Sequence, residues 1–379
     1  AVRMSKMSWF ARLGYEYRNK YMVQATLRAD AADTAYLPAQ NRWGSFPSVS
    51  AGWVVSNEDF FESLRGVVNH LKFRASWGQN GSLASLGSYE YAASIVTSMS
   101  YPLVAGNTTV LGHAPNALGN ETLRWETSEQ FDLGLDARLL NDRLTFGVDY
   151  FDKETKGLLI SDIVPSKSVG GTLSPMNAGN VYNRGFEFEL GWKDHIGDFN
   201  YGLNGNLATL KNMVTYLDPS LDLIPGVSQG GSTYYTAFEE GYPIYHLRGY
   251  KYAGVNPENG NPLFYAKNGE ITESPVSDDI TDLGSGIPKL TYGLTLTAAY
   301  KGFDLVVFGS GVQGVDIYNV YDPNSEYLYN RLTCFTENRW SVANPSGTNP
   351  RAYADIARLN NSSYMVFDGS FFKIKQIQL

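Results

Sequence analysis

Glu187 and Glu189, in "RGFEFELGWK" (184–193), are the residues whose types and spacing first invite a chemical reading. Two residues apart on an extended chain, they share a face at roughly 7 Å separation, a geometry compatible with acid–base hydrolysis. The same alternation places Phe186, Phe188, Leu190 and Trp192 on the opposite face. Alternating charges are ordinary wherever one side of a strand meets water, so the pair is read as a solvated face and catalysis is set aside.

Other motifs fail for want of their supporting elements. "GSGVQG" (309–314) has the G-x-G-x-x-G form and follows the strand-like "FDLVVF". A dinucleotide site requires a helix next, with its N-terminus at the pyrophosphate. Here "VDIYNVYDP" follows, β-branched and aromatic, and predicts close strand packing or a bulge. "GVSQG" (226–230) has the nucleophile-elbow form, but Pro225 precedes it and "GSTYY" follows, so Ser228 reads as a loop tip. The four histidines, His70, His113, His195 and His246, have no zinc-like spacing, and His195 is expected in a tight turn. Cys334 is the single cysteine and has no metal-ligand neighbours. No catalytic residue, metal site or cofactor is assigned.

The elements carrying these residues are two-faced strands. In "WFARLGYEY" Trp9, Ala11, Leu13, Tyr15 and Tyr17 alternate with Phe10, Arg12, Gly14 and Glu16. Similar alternation runs through "YMVQATLRAD", "LKFRASWG", "FDLGLDARL", "RLTFGVDYF", "FNYGLNGNL" and "LTYGLTLTAAY". Composition agrees: 26 Tyr, 19 Phe, 7 Trp and 38 Gly stand beside only 18% charged residues, against about 25% in globular domains. The net charge of −8, without any basic run, argues against a nucleic-acid partner. No apolar run reaches the ~20 residues of a membrane helix, while barrel strands need only ~9–11.

Connection lengths sharpen the choice. Tight hairpins are predicted near Asn19, Asn141-Asp142, His195–Gly197 and Lys301-Gly302. Between them lie long connections, roughly 79–124, 153–181, 211–243 and 315–370. Compact soluble domains rarely hold several such loops, whereas membrane barrels have short turns on one rim and long loops on the other. Aromatics at strand ends, such as Trp9 and Tyr17, Tyr292 and Tyr300, or Trp192, would form interfacial girdles. A soluble sandwich or propeller is the competing architecture, but no ~40–45-residue repeat is present. Residues 254–288 admit two readings: one further wall strand near Pro262–Ala266, or a folded excursion. The opening "AVRMSKMSWF", without an initiator Met, reads as the interior of a longer protein, so a missing export signal carries no information.

Seven segments, in order, carry a resemblance: "RWGSFPSVSAGW", "LKFRASWGQNG", "NETLRWETSEQFDLGLD", "RLTFGVDYFDKETKGLL", "NAGNVYNRGFEFEL", "EGYPIYHLRGYKYAG" and "IPKLTYGL". Together they are similar to the barrel of SusC/RagA-type TonB-dependent receptors, over nearly the whole chain. The resemblance implies an all-β fold: a partial antiparallel transmembrane β-barrel, with residues 1–379 supplying central strands of a ~22-stranded wall, incomplete at both ends. No segment here matches the family's plug domain or TonB box. It also implies outer-membrane, TonB-dependent import of a glycan or oligopeptide, with a SusD-like surface lipoprotein lid and TonB as partners. "AKNGEIT" resembles an acidic calcium-like loop of the family, but Lys267 and Asn268 stand where carboxylates would be wanted.

Loop aromatics remain as ligand-binding candidates: Tyr234, Tyr235, Tyr318, Tyr321, Tyr327, Tyr329 and Trp340. Aromatic faces stack on sugar rings and bury apolar peptide side chains, and the same residue types also serve loop self-packing. The alternatives to energised import are a passive porin-like channel and a soluble β-rich carbohydrate-binding module.

Overall fold

The computed structural model describes residues 5–104, 108–161, 172–229, 233–319, 333–352 and 356–379. Eleven strands follow one another in the path of its main sheet. They are β1 (Lys6–Tyr17), β2 (Tyr21–Ala32), β3 (Trp43–Val54), β4 (Val68–Ser82), β5 (Glu126–Leu139), β6 (Leu144–Ile160), β7 (Met176–Ile196), β8 (Phe199–Thr209), β9 (Leu290–Tyr300), β10 (Phe303–Gln313) and β11 (Phe371–Gln378). Spatial order equals chain order, and a twelfth strand, Lys211–Leu217, pairs with β7 beyond the end of β8. The chain divides into two compact units: Ala1–Leu221 with Gly293–Phe308 and Gln376–Leu379, and Asp222–Tyr292 with Gly309–Lys375.

The predicted hairpins form because their residues accept left-handed backbone. Arg18 and Asn19 have φ of 52° and 53°, Asn141 and Asp142 59° and 61°, Gly197 60°, and Lys301 and Gly302 46° and 89°. His195 is the exception to expectation, since it remains in β7, paired with Asn200, and the reversal comes at Gly197. The long connections after β4 and after β6 are shorter than the pattern predicts because the strands overrun it, whereas the one from β8 to β9 spans 210–289 instead of ending near 243. β4 continues to Ser82, β6 to Ile160, and β7 begins at Met176. β3 carries Pro47 in its middle; pairing with β4 begins at Ser48, so the missing N–H interrupts no ladder bond on that side.

Both faces of the wall are open. Phe186 and Leu190 are 46% and 49% exposed, as are comparable fractions of Leu133, Phe131, Leu296 and Val23, while Glu187 and Glu189 opposite are exposed too. Among the described residues no second sheet covers the apolar side. One apolar row reads Tyr21, Trp53, Phe73, Leu135, Val148, Phe188, Leu207 across β2 to β8. On the polar side Arg74 donates to Asp136 through two bonds of 2.7 and 2.9 Å and to Asp149 at 2.9 Å. Gly134 lies between Arg74 and Asp149 in register, and a Cβ there would sit 2.2 Å from Asp149 Oδ1. The small residue opens the path for an ion pair that skips a strand.

Buried packing in the first unit gathers where β2, β4 and β6 leave the wall: Ala32, Leu37, Leu83, Leu86, Leu123 and Leu159, with Tyr36, Tyr91 and Trp125 against them. At the short-turn end, Glu58 is buried and accepts from Tyr21 Oη, Trp53 Nε1 and Lys20 Nζ at 2.5, 3.0 and 3.0 Å. Glu58 thereby fastens the 55–67 connection to two aromatic residues of the apolar face.

The reading of 254–288 as a folded excursion is the correct one. Pro262–Tyr265 is a strand, but it pairs with Tyr252–Val255 and Ile271–Thr272 in a separate three-stranded sheet. β8 and β9 are neighbours in the wall without it. The second unit has its own core, with Phe238, Phe264 and Met365 fully buried.

Candidate functional site

Two of the candidate aromatics meet face to face. Tyr235 precedes the short strand Thr236–Phe238, and its amide donates to Val227 O at 3.1 Å while its carbonyl accepts from Arg248 N at 2.9 Å. These bonds fix the backbone and aim the ring at Tyr318, whose ring stacks on it at 4.0 Å and 6°. Tyr318 belongs to Asp316–Tyr318, paired with Val366–Asp368, and its hydroxyl donates to Asn360 O. Tyr234, in the two-residue strand before Tyr235, receives the Arg248 guanidinium 5.8 Å from its ring centroid.

Arg248 leads to charge that sequence reasoning missed. Glu239 Oε2 lies 3.6 Å from Arg248 Nε and 3.5 Å from His246 Nε2. His246 is 1% exposed, its Nδ1 is 2.8 Å from Asp282 Oδ1, and Tyr242 stacks on the ring at 4.5 Å. The Nε2–Glu239 approach satisfies a distance for ion pairing but not the geometry of a hydrogen bond. His246 and Arg248 are two apart on the strand His246–Tyr250, and Asp282 comes from Ile280–Gly284 beside it. A signal existed in "YHLRGY", where His and Arg share a strand face, and Glu239 is only seven residues before His246, but Asp282 lies far off in sequence. The arrangement offers aromatic surface beside fixed charge, suited to stacking and hydrogen bonding.

Trp340 packs on the turn at 257–260. Its Nε1 donates to Pro257 O at 3.0 Å, and its ring presses on Gly260, whose φ is +75° and where a Cβ would come within 2.4 Å. The turn beneath is fixed by Glu273, which accepts from Asn261, Asn259 and Asn256; those bonds hold its carboxyl below the usual range. Tyr321, Tyr327 and Tyr329 lie outside the described residues.

The set-aside motifs are accounted for. Residues 309–313 of "GSGVQG" are strand, and Gly309 and Gly311 face Phe372 and the Phe371 carbonyl so closely that a Cβ would lie 2.6 and 2.3 Å from them. Close strand packing explains both glycines. Ser228–Gln229 pairs with Thr233–Tyr234 as a short ladder, not as the start of a helix. Asn268 uses its side chain on Glu270, closing a local turn.

Residues 3–378 match the family model described as TonB dependent receptor-like, beta-barrel. The chain belongs to that family. Its wall is an all-β, partial TonB-dependent receptor barrel of SusC/RagA type, and its location is the outer membrane. The TonB-dependent receptors P26 of Formosa agariphila and SusC of Bacteroides thetaiotaomicron are each 29% identical, over 98% and 100% of this chain. The structure of the RagAB peptide transporter shares the fold at a TM-score of 0.82 and 23% identity, over 98% of this chain and 40% of that one. The chain spans 38% of the length of the two curated TonB-dependent receptors.

Proposed function

We propose that this chain supplies barrel wall and extracellular ligand-binding loops to a TonB-dependent importer of a glycan or oligopeptide nutrient. The observation that carries the proposal is the two-sided wall: one side apolar and bare, the other lined by Arg74, Asp136, Asp149, Glu187 and Glu189. Such a sheet suits acyl chains outside and an aqueous, plug-filled lumen inside. The wall performs no covalent chemistry. Transport energy would reach it from TonB acting on a plug, and a SusD-like lipoprotein would close the loops over the ligand.

Tyr234, Tyr235 and Tyr318 are the contacts favoured for the ligand, with Tyr321, Tyr327, Tyr329 and Trp340 in the same proposal. RagAB is a peptide transporter, and the stacked tyrosines of this chain suit peptide side chains and sugar rings alike. The test is growth of the parent bacterium, with and without the gene, on oligosaccharide or peptide as sole carbon source. Uptake that requires the gene and stops when the proton gradient is collapsed supports energised import. Gene-dependent uptake that continues in de-energised cells identifies a passive channel instead.

A further inference from the structure

On its apolar side the wall has a cavity of about 590 Å³, lined almost entirely by carbon. Its origin lies in one row of the register: Val23, Ala51, Ala75, Leu133, Tyr150, Phe186. Two alanines stand side by side where every other position in the row is large. The next row toward the short turns carries Tyr21, Trp53 and Phe73, and the next row away carries Val49, Trp77 and Phe131. Ala51 and Ala75 therefore floor a pit with Trp53 and Phe73 raised along one side and Leu133 and Tyr150 closing its end.

The rim is held in place. Trp53 stacks on Tyr21 at 6.4 Å and meets the tilted ring of Phe73 at 6.3 Å, and its indole N–H donates to the buried Glu58. Aromatic rings fixed this way lose little entropy when something packs against them. The pit is continuous with the face that meets lipid in an outer-membrane barrel, so its solvent is acyl chain. The short-turn rim, where Lys20 sits, is the periplasmic side in such barrels. Lys20 pairs in the backbone with Val54, three residues or roughly 10 Å along the strand from Ala51. That separation places a headgroup at the rim when a chain lies in the pit.

We infer that this pit seats one acyl chain of a periplasmic-leaflet phospholipid, bound longer than the lipid around the rest of the wall. Filling the floor removes the seat and leaves the apolar character of the face unchanged. The experiment is native mass spectrometry of the full-length protein extracted from phosphatidylethanolamine/phosphatidylglycerol vesicles. Wild type is compared with Ala51→Leu/Ala75→Leu, and with Ala11→Leu as a control that adds one such side chain elsewhere on the outward face. The expected result is one retained phospholipid on wild type and control and its loss from the double variant. Equal lipid retention in all three overturns the inference, as does loss of a protein dimer from the double variant with lipid retention unchanged.

Should the double variant not fold, bromine-labelled acyl chains provide the second measurement. After exchange into excess unlabelled lipid, residual tryptophan quenching is expected in wild type and a smaller amount in Trp53→Phe. Complete recovery of emission in wild type overturns the seat.

Discussion

Tyr235 and Tyr318, 83 positions apart in the chain, lie ring on ring at 4.0 Å with their planes 6° apart. Each ring therefore has one face committed to its partner, and hydrogen bonds at Val227, Arg248 and Asn360 fix how the pair is presented. A stacked pair held in this way is a platform with its conformational cost already met before any ligand arrives.

Replacing either ring tests the platform. Tyr235→Ala and Tyr318→Ala are expected to weaken ligand binding in the full-length protein about fivefold, the scale of ~1 kcal/mol for an aromatic contact. Phe at either position is expected to retain most of the affinity. Calorimetric titration with the imported oligosaccharide or peptide provides the readout. Unchanged affinity in both alanine variants would assign the pair to loop packing alone.

Gly185 tests the wall. A Cβ there would lie 1.9 Å from the Thr209 carbonyl, at the point where β8 ends and Thr209 Oγ1 accepts from Phe186 N. Gly185→Val is expected to cost about 1–3 kcal/mol through overpacking. It would appear as a lower temperature for loss of the heat-modifiable folded band on electrophoresis. Stability equal to wild type would show that β7 and β8 do not approach as described.

The Arg74 ion pairs depend on Gly134 having no side chain. Gly134→Val is expected to separate Arg74 from Asp149 and leave the Asp136 bond in place. Because these groups are partly solvated, the predicted cost is small, about 1 kcal/mol or less for the ion pair, plus the crowding. The double variant Gly134→Val/Asp149→Asn should lose little beyond the single. Additive losses would refute the coupling.

Glu58 gives the wall a pH signature at its short-turn rim. Hydrogen bonds from Tyr21, Trp53 and Lys20 hold its carboxyl down at about 2, from an ordinary 4.5. A lowered folded-state pKa means stability present above 4.5 that drains as pH falls toward 2. Wild type is therefore expected to lose stability across that window, and Glu58→Gln to be less stable at neutral pH with a flatter acid profile. Parallel profiles for the two proteins would remove Glu58 as the cause.

The wall is legible in the sequence because barrel strands announce themselves twice, by alternation and by hairpin residues. Asn19, Asn141, Gly197 and Gly302 mark reversals that turn chemistry alone places. β3 is hidden by Pro47, harmless only because β4 begins pairing one residue later. Residues 254–288 are ambiguous because a short strand in a small sheet and a wall strand have the same local pattern; "PLFY" contains nothing that says which neighbour it will find. The meeting of Tyr235 with Tyr318, and of His246 with Asp282 and Glu239, depends on loop paths that no local rule dictates.

Accessibility along "RGFEFELGWK" tests the central claim most directly. With Cys334→Ser as background, single cysteines are placed at positions 186 to 190 of the full-length protein in native outer membrane. A water-soluble maleimide is expected to label Glu187→Cys and Glu189→Cys, whereas Phe186→Cys, Phe188→Cys and Leu190→Cys resist it. Nitroxides attached to these three after unfolding and refolding should sense oxygen dissolved in lipid. Labelling of all five positions from water, or of none, would contradict a wall with acyl chains on one side and an aqueous lumen on the other.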